Sequence, residues 1–301
     1  MKGIDVSTHN GLIDWEKVAA TPIEFAIIRA GYGMYENQID TRFRYNIENA
    51  LANKLHVGVY WFSYAGSAEE AIKEAQLCAK VIEPYKGKID FPVYFDFEYD
   101  SERYLKEHGI VLNNEIRTAL VTAFCSEITR YGWLSGVYIN QDYARNKYNM
   151  GKIKDQWEIW MAQYDTAKPK YNAGLKQYSS EATAYGITGN VDVNESYIDY
   201  PTLIKASHYN GFESEYKSDT TNDETNPVLI ERYKHYTLKI TGADIDLVCG
   251  VSPGQNQAFV VNRCIKVGNS RFWHITAIGE PGQETGIYRK GHERICVCRV
   301  K

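Results

Sequence analysis

Two carboxylates separated by one residue, Asp96 and Glu98, stand at the end of the apolar run Phe91-Pro92-Val93-Tyr94-Phe95-Asp96-Phe97-Glu98-Tyr99. The run reads as a buried strand, and side chains at i and i+2 of a strand point to one side. Asp96 and Glu98 are therefore expected on a common face, roughly 6–7 Å apart at Cβ. Burial and mutual repulsion raise the proton affinity of at least one of two such acids. An acid that keeps its proton near neutral pH beside an ionised neighbour is equipped to cleave a glycosidic bond. The same pair at an exposed loop edge would merely face solvent, so the surrounding elements decide the reading.

Up to about residue 200, short apolar runs alternate with amphipathic stretches. Strands are predicted at 3–6, 25–30, 57–62, 93–97 and 136–139, and helices at 14–20, 41–53, 67–82 and 113–131. Ser67 with Glu70 makes a capping box for the third helix. Nearly continuous hydrophobic strands alternating with helices indicate a parallel sheet covered by helices. After residue 150 three more strands are expected, at 158–162, 175–178 and 190–193, with gaps too short for full crossover helices. The fold class predicted is α/β, an irregular (β/α)8-type barrel of five β/α units followed by three helix-poor strands. A doubly wound open sheet would carry Gly-x-Gly-x-x-Gly at its first turn, where Val6-Ser7-Thr8-His9-Asn10-Gly11 stands instead.

In a parallel barrel, chemistry sits where the strand C-termini meet the following loops. The polar residues there are Asp5, with Ser7 and His9 just beyond; Arg29 and Tyr32; Tyr60 and Phe62; Asp96 and Glu98; Tyr138 and Asn140; Trp160, Ala162 and Gln163; Gln177; and Asp192 with Asn194. Four carboxylates would face one another among aromatic rings, whose faces suit stacking against sugars. Plainer roles exist for some of them. Asp5 could cap a turn, Arg29 could pair with a buried acid, and Trp160 could be core. His9 lies near Asp5, but no serine or cysteine elbow accompanies it to make a hydrolytic triad. His9, His56 and His108 lack metal-ligand spacing, and only an all-acid site of Asp5, Asp96, Glu98 and Asp192 could take a divalent cation. The expectation is an enzyme without metal or cofactor.

With 301 residues the chain has room for one domain of about 200–250 residues and a smaller one. Its 44% hydrophobic and 24% charged composition suits a globular protein, and no apolar run is long enough to span a bilayer. Cys78 and Cys125 fall in helical patterns and read as core. Cys249, Cys264, Cys296 and Cys298 crowd the last quarter and could be paired or reduced. Residues 206–227 are polar and read as a linker between a domain at 1–205 and another at 228–301. The latter holds 11 Lys/Arg against 6 Asp/Glu, whereas the whole chain carries a net charge of −4. Short alternating runs at 236–240, 245–249, 258–261, 272–278, 286–288 and 295–300 predict a small all-β sandwich or barrel. Its positive balance suits an anionic polymer.

In order along residues 1–200, Gly3-Ile4-Asp5-Val6-Ser7, Phe25-Ala26-Ile27-Ile28-Arg29-Ala30-Gly31-Tyr32-Gly33, Gly58-Val59-Tyr60-Trp61-Phe62 and Val93-Tyr94-Phe95-Asp96-Phe97-Glu98 resemble family-25 glycoside hydrolases. So do Gly136-Val137-Tyr138, Trp160-Met161-Ala162-Gln163-Tyr164, Gln177-Tyr178-Ser179 and Gly189-Asn190-Val191-Asp192-Val193-Asn194. These are the Chalaropsis-type lysozymes, or N-acetylmuramidases, which include many phage endolysins. The resemblance implies a barrel of five β/α units plus three strands, and hydrolysis of the β-1,4 bond between N-acetylmuramic acid and N-acetylglucosamine in bacterial peptidoglycan. By position, Glu98 matches the catalytic acid, Asp96 its partner acid, and Asp5 and Asp192 the other groove carboxylates. Tyr60, Phe62, Tyr138, Gln163 and Arg29 are the candidate substrate contacts. Net retention through the sugar's acetamido group is the family expectation; an enzymic nucleophile at Asp96 or an inverting water fits the sequence as well.

Two other function classes are weighed against this one. A non-catalytic glycan-binding barrel would not need all four carboxylates. Chitinase-type barrels carry D-x-D-x-E, and here Tyr94 breaks that pattern. The C-terminal segment lacks choline-binding repeats and a LysM pattern, and is expected to be Ig-like or SH3-like and to hold the enzyme on anionic wall polymers. No nucleic acid partner and no membrane insertion are expected. A start that runs directly into a strand, without a signal peptide, suits an endolysin made in the host cytoplasm and acting at the cell wall.

Overall fold

A computed structural model describes residues 1–207, 209–212, 227–232, 235–241, 247–249, 258–267, 270–289 and 294–301. The chain divides into two compact units, Met1–Ser214 and Glu215–Lys301.

In the first unit, eight strands close into a barrel: β1 (Lys2–Val6), β2 (Phe25–Tyr32), β3 (His56–Phe62), β4 (Val93–Asp96), β5 (Ser135–Asn140), β6 (Glu158–Ala162), β7 (Leu175–Ala182) and β8 (Val191–Ser196). Helices α1 (Trp15–Ala19), α2 (Phe43–Ala52), α3 (Ala68–Ile82), α4 (Tyr99–Glu107) and α5 (Asn114–Arg130) cover its first half, and a five-residue π-helix, Tyr143–Lys147, follows β5. Their starts are locally encoded. Asp14, Ser67 and Asn113 each accept a backbone N–H of the following turn, at 3.2, 3.2 and 2.8 Å, which satisfies donors a helix N-terminus leaves open.

The helix-poor third behaves as its spacing requires, with one difference from an all-parallel sheet. Strands β1 to β7 run parallel, but β8 is antiparallel to both β7 and β1. Only 183–190 separate β7 from β8, too few for a crossover, so the chain turns back on itself. Gly186 makes that turn at φ 96°, where any Cβ would stand 2.5 Å from the Asp14 carbonyl. As a result the start of β8, not its end, lies at the barrel mouth. Asp192 is there because its strand descends.

Two further helices were not expected. α4 buries little more than Ser101 and Leu105, so it carries a weak apolar signal. α6 (Tyr200–Ser207) ends the first domain and runs two residues into the stretch read as a linker. The assignment of 209–212 to a linker is likewise corrected. The buried Asn210 donates from Nδ2 to the carbonyls of Ile89 and Phe91 (2.9 and 3.0 Å) and accepts Leu134 N–H at 2.7 Å. It closes backbone groups that β4 and β5 leave open.

The apolar core lies chiefly between barrel and helices, where Val93, Phe95 and Phe97 meet α5 through Phe124. Cys78 of α3 and Cys125 of α5 are buried in it, and burial pushes both thiols up. Among the described residues, no helix is long and apolar enough to cross a membrane.

In the second unit the described strands form two sheets. β10 (His235–Thr241), β13 (Ser270–Ala277) and β12 (Phe259–Val267) make one; β11 (Leu247–Cys249), β14 (Glu284–Arg289), β15 (Arg294–Val300) and β9 (Val228–Ile230) make the other. Leu238, Phe259, Trp273 and Ile275 from the first share one core with Ile230, Ile287, Cys296, Cys298 and Val300 from the second. Of the two expected architectures, this is the sandwich. The side chains of Cys249 and Cys264 lie outside the described residues.

Candidate active site

The interior of the barrel is floored by aromatic rings. Trp160 of β6 is 4.7, 5.3 and 6.0 Å, centroid to centroid, from Tyr138, Tyr94 and Tyr60. Above them opens a cleft of about 710 Å³ lined by Asp5, Asp96, Glu98 and Asp192. Arg29, Tyr60, Phe62 and Tyr138 line it too, as the strand-end reading requires.

Asp96 ends β4, paired in register between Phe62 of β3 and Tyr138 of β5. Glu98 sits past the strand, at the start of α4, yet its backbone stays extended (φ −128°, ψ −171°). Alternation therefore continues beyond the last ladder bond, and Asp96 and Glu98 both face the cleft while Phe95 and Phe97 face the helices. Burial, then the charges of Asp100 and Asp192, pushes the Glu98 carboxyl up to about 7. Burial also raises Asp96 well above the usual carboxylate range, reinforced by Glu98 and Asp5 and opposed by Arg29. Its Oδ1 is buried and finds no hydrogen-bond partner among the described residues.

Asp5 and Asp192 face each other directly in the β1–β8 register. Burial raises Asp5, Asp192 adds repulsion, and hydrogen bonds from Asn194 and Gln177 oppose both. Asp192 is raised by burial as well. The donors on Asp5 are locked by chemistry. Trp160 Nε1–H, which can only donate, bonds Asn194 Oδ1 at 2.8 Å, so Asn194 must present its Nδ2 to Asp5 Oδ2, at 2.7 Å. Likewise the hydroxyls of Tyr138 and Tyr164 meet Gln177 Oε1 at 2.9 and 2.8 Å, and Gln177 Nε2 donates to the same Asp5 oxygen at 3.0 Å. Asp5 Oδ2 is thus an acceptor twice over. Its other oxygen is the one free to share a proton with Asp192.

Arg29 pairs with a buried acid and also reaches the cleft. Its Nε donates to the buried Asp40 at 2.7 Å, and it still lines the cleft. Ser7 is used as a cap, its hydroxyl accepting His9 N–H at 3.2 Å. Gln163 is a correction. It is buried behind the wall, donating to Asp165 Oδ1 (2.7 Å) and Lys168 O (3.3 Å) and accepting Lys170 N–H (3.2 Å). It shapes the loop after β6 and is not among the lining residues. Tyr64, Tyr164 and Asp100 line the cleft without having been singled out; each comes from a loop or helix start beyond a strand, where alternation no longer tells direction. Among the described residues no three acids, histidines or cysteines are grouped to hold a metal ion.

The family model for glycosyl hydrolases family 25 matches residues 4–189. The chain belongs to this family. As a family-25 member it is a glycoside hydrolase of the lysozyme type. YegX of Escherichia coli O6:H1 is 27% identical over 201 residues, 64% of this chain and 68% of that protein. The autolytic lysozyme of Clostridium acetobutylicum is 23% identical over 197 residues, covering 65% and 55%. The modular autolysin LytC of Streptococcus pneumoniae, solved with a synthetic peptidoglycan ligand, superposes with a TM-score of 0.56 at 25% identity. That match covers 64% of this chain and 46% of LytC, so the family-25 chain spans about half of the autolysin's length.

Proposed function

We propose that the protein is an N-acetylmuramidase that cuts the β-1,4 bond between N-acetylmuramic acid and N-acetylglucosamine in bacterial peptidoglycan. The observation that carries this reading is the Glu98 carboxyl, held in a carboxylate-lined cleft with its proton retained up to about pH 7. Glu98 protonates the glycosidic oxygen as the bond to C1 breaks. The acetamido carbonyl oxygen of the same sugar closes on C1, which retains the configuration after water opens the ring. Asp96, in its carboxylate form, which Arg29 favours, accepts the acetamido N–H through its buried Oδ1 and balances the positive charge of the oxazolinium-like ring. Glu98, now a carboxylate, takes the proton of the incoming water. Asp5 and Asp192, sharing one proton, add a single negative charge beside the reacting centre instead of two. Tyr60, Phe62, Tyr138 and Arg29 contact the sugars.

The basic sandwich holds the enzyme on anionic wall polymers, a reading supported by its 11 Lys/Arg against 6 Asp/Glu. The wall is thus the place of action. Digestion of purified peptidoglycan followed by mass analysis of the new ends tests the main reading. N-acetylmuramic acid at the reducing ends is expected, whereas N-acetylglucosamine ends or freed peptides would refute it. Release of the β-anomer first, followed by proton NMR, tests retention.

A further inference from the structure

Outside the acids, the cleft has one wall that leads away from it. Phe62 ends β3 inside the cleft, and Tyr64, two residues on, also lines it. The Tyr64 ring lies 5.2 Å from Phe62, 6.2 Å from Tyr32 and 4.7 Å from Tyr104 of α4, and Tyr104 lies 4.2 Å from His108. Rings therefore follow one another from the cleft onto the surface of α4, where Tyr104 is 42% exposed. The row therefore leaves part of an aromatic ring open to solvent at its outer end.

The row is held rigidly. Tyr64 N–H is fixed by Glu74 Oε1 at 2.9 Å and Gly66 N–H by Glu70 Oε2 at 2.7 Å, both from α3. Glu74 is a buried acid with no place in the bond-breaking steps; its carboxyl is pushed up to about 8 by burial. Leu105 and Ile110 approach Gly66 at 3.2 and 3.1 Å from where its Cβ would be, pressing α4 against this loop. A polar edge accompanies the rings. Asp100 lines the cleft and pairs with Arg103 at 2.9 Å, and Asp100, Arg29 and Arg103 all act electrostatically on the Tyr64 hydroxyl. Aromatic faces beside a carboxylate and a planar guanidinium are what a saccharide needs: C–H faces stack on rings, and hydroxyls meet the charged forks.

We propose that Tyr64 and Tyr104, edged by Asp100 and Arg103, form a glycan subsite that runs from the rim of the catalytic cleft onto α4 and grips the continuing sugar strand. The occupant is a saccharide because the row begins in the cleft, and the strand leaving that cleft is the chain being cut. The inference rests on the glycan-cleaving reading above. Its test uses Tyr104→Ala in the full chain, with peptide-free wall glycan as substrate in two lengths, one just filling the cleft and one several sugars longer. The wild type is expected to favour the longer strand, and the variant to lower the long-to-short ratio of kcat/KM by about fivefold, through KM. Affinity of Glu98→Gln for the long strand, measured by calorimetry with and without Tyr104→Ala, should fall by the same factor. An unaltered ratio and affinity would overturn the subsite alone, as would a loss seen only with peptide-bearing strands. A wild type inert on both lengths would instead overturn the glycan-cleaving reading itself.

Discussion

The two ends of the barrel treat buried acids in opposite ways. At the bottom, Asp90 is boxed in by cations and donors: His56 Nδ1 at 2.7 Å, Lys205 Nζ at 3.3 Å and Val57 N–H at 3.1 Å. Nearby, Glu158 accepts the Tyr200 hydroxyl at 2.7 Å. At the mouth, four carboxylates crowd together and Arg29, itself paired with Asp40, is the guanidinium that lines the cleft. Asp90 at the bottom is matched by Lys205 and serves cohesion. The acids at the mouth are left to compete for protons, and burial without a matching cation is what keeps Glu98 protonated near neutrality. Residue type is the same at both ends; the partners separate structure from chemistry.

That contrast can be broken from either side. Glu98→Gln keeps the shape of the mouth but removes its transferable proton, and should lower the rate of wall lysis by about a thousandfold with an unaltered circular dichroism spectrum. Full lysis by this variant would contradict the assignment. At the bottom, Asp90→Asn should behave in reverse. Unfolding in urea is expected to show a loss of about 2 kcal/mol, while kcat stays within about twofold of the wild type. A large loss of kcat without a loss of stability would mean that the two ends are not distinct in role.

Smaller effects test how the mouth is wired. Asn194→Ala removes one of the two amide donors on Asp5 Oδ2, letting the pair's shared proton move to that oxygen. Activity is expected to fall about tenfold, with the acid limb of the pH–rate profile displaced upward because the ionised form loses a donor. The same drop with an undisplaced limb would show that Asn194 matters only for packing. The smallest effect is thermodynamic. Glu74 and Glu98 bind protons in the folded state up to about 8 and about 7, against an ordinary 4.5. Between those values these two groups hold more protons in the folded state than in the unfolded chain, so their contribution to stability is greatest below about 4.5 and is lost as pH rises towards about 8. Melting temperatures of Glu74→Gln should decline less over this interval than those of the wild type.

Much of this wiring is legible in the sequence wherever the rule is local. Asp96 and Glu98 follow from strand alternation, which persists through the extended backbone of Glu98. Asp5, Arg29, Tyr60, Phe62 and Tyr138 follow from the rule that strand ends line a barrel mouth. Asp192 was placed at the mouth for the wrong reason: it opens a descending strand, and a chain reversal between β7 and β8 is a property of spacing in three dimensions. Gln163 fails for a related cause. One residue beyond a strand end, its side chain turned back to organise the loop. The Trp160–Asn194–Asp5 lock is invisible in the sequence, because its residues lie on β6, β8 and β1 and meet only when the barrel closes. In the C-terminal unit, period-two patterning marks six of the described strands and leaves out the short β9.

The central claim is that Glu98 is the proton donor because the mouth leaves it unneutralised. Carbon-13 NMR of the Glu98 carboxyl across pH, set beside the alkaline limb of the pH–rate profile on peptidoglycan, tests it most directly. Both midpoints should coincide near about 7, with activity lost as the proton leaves. A Glu98 that titrates near 4.5 while lysis continues to neutral pH would contradict it.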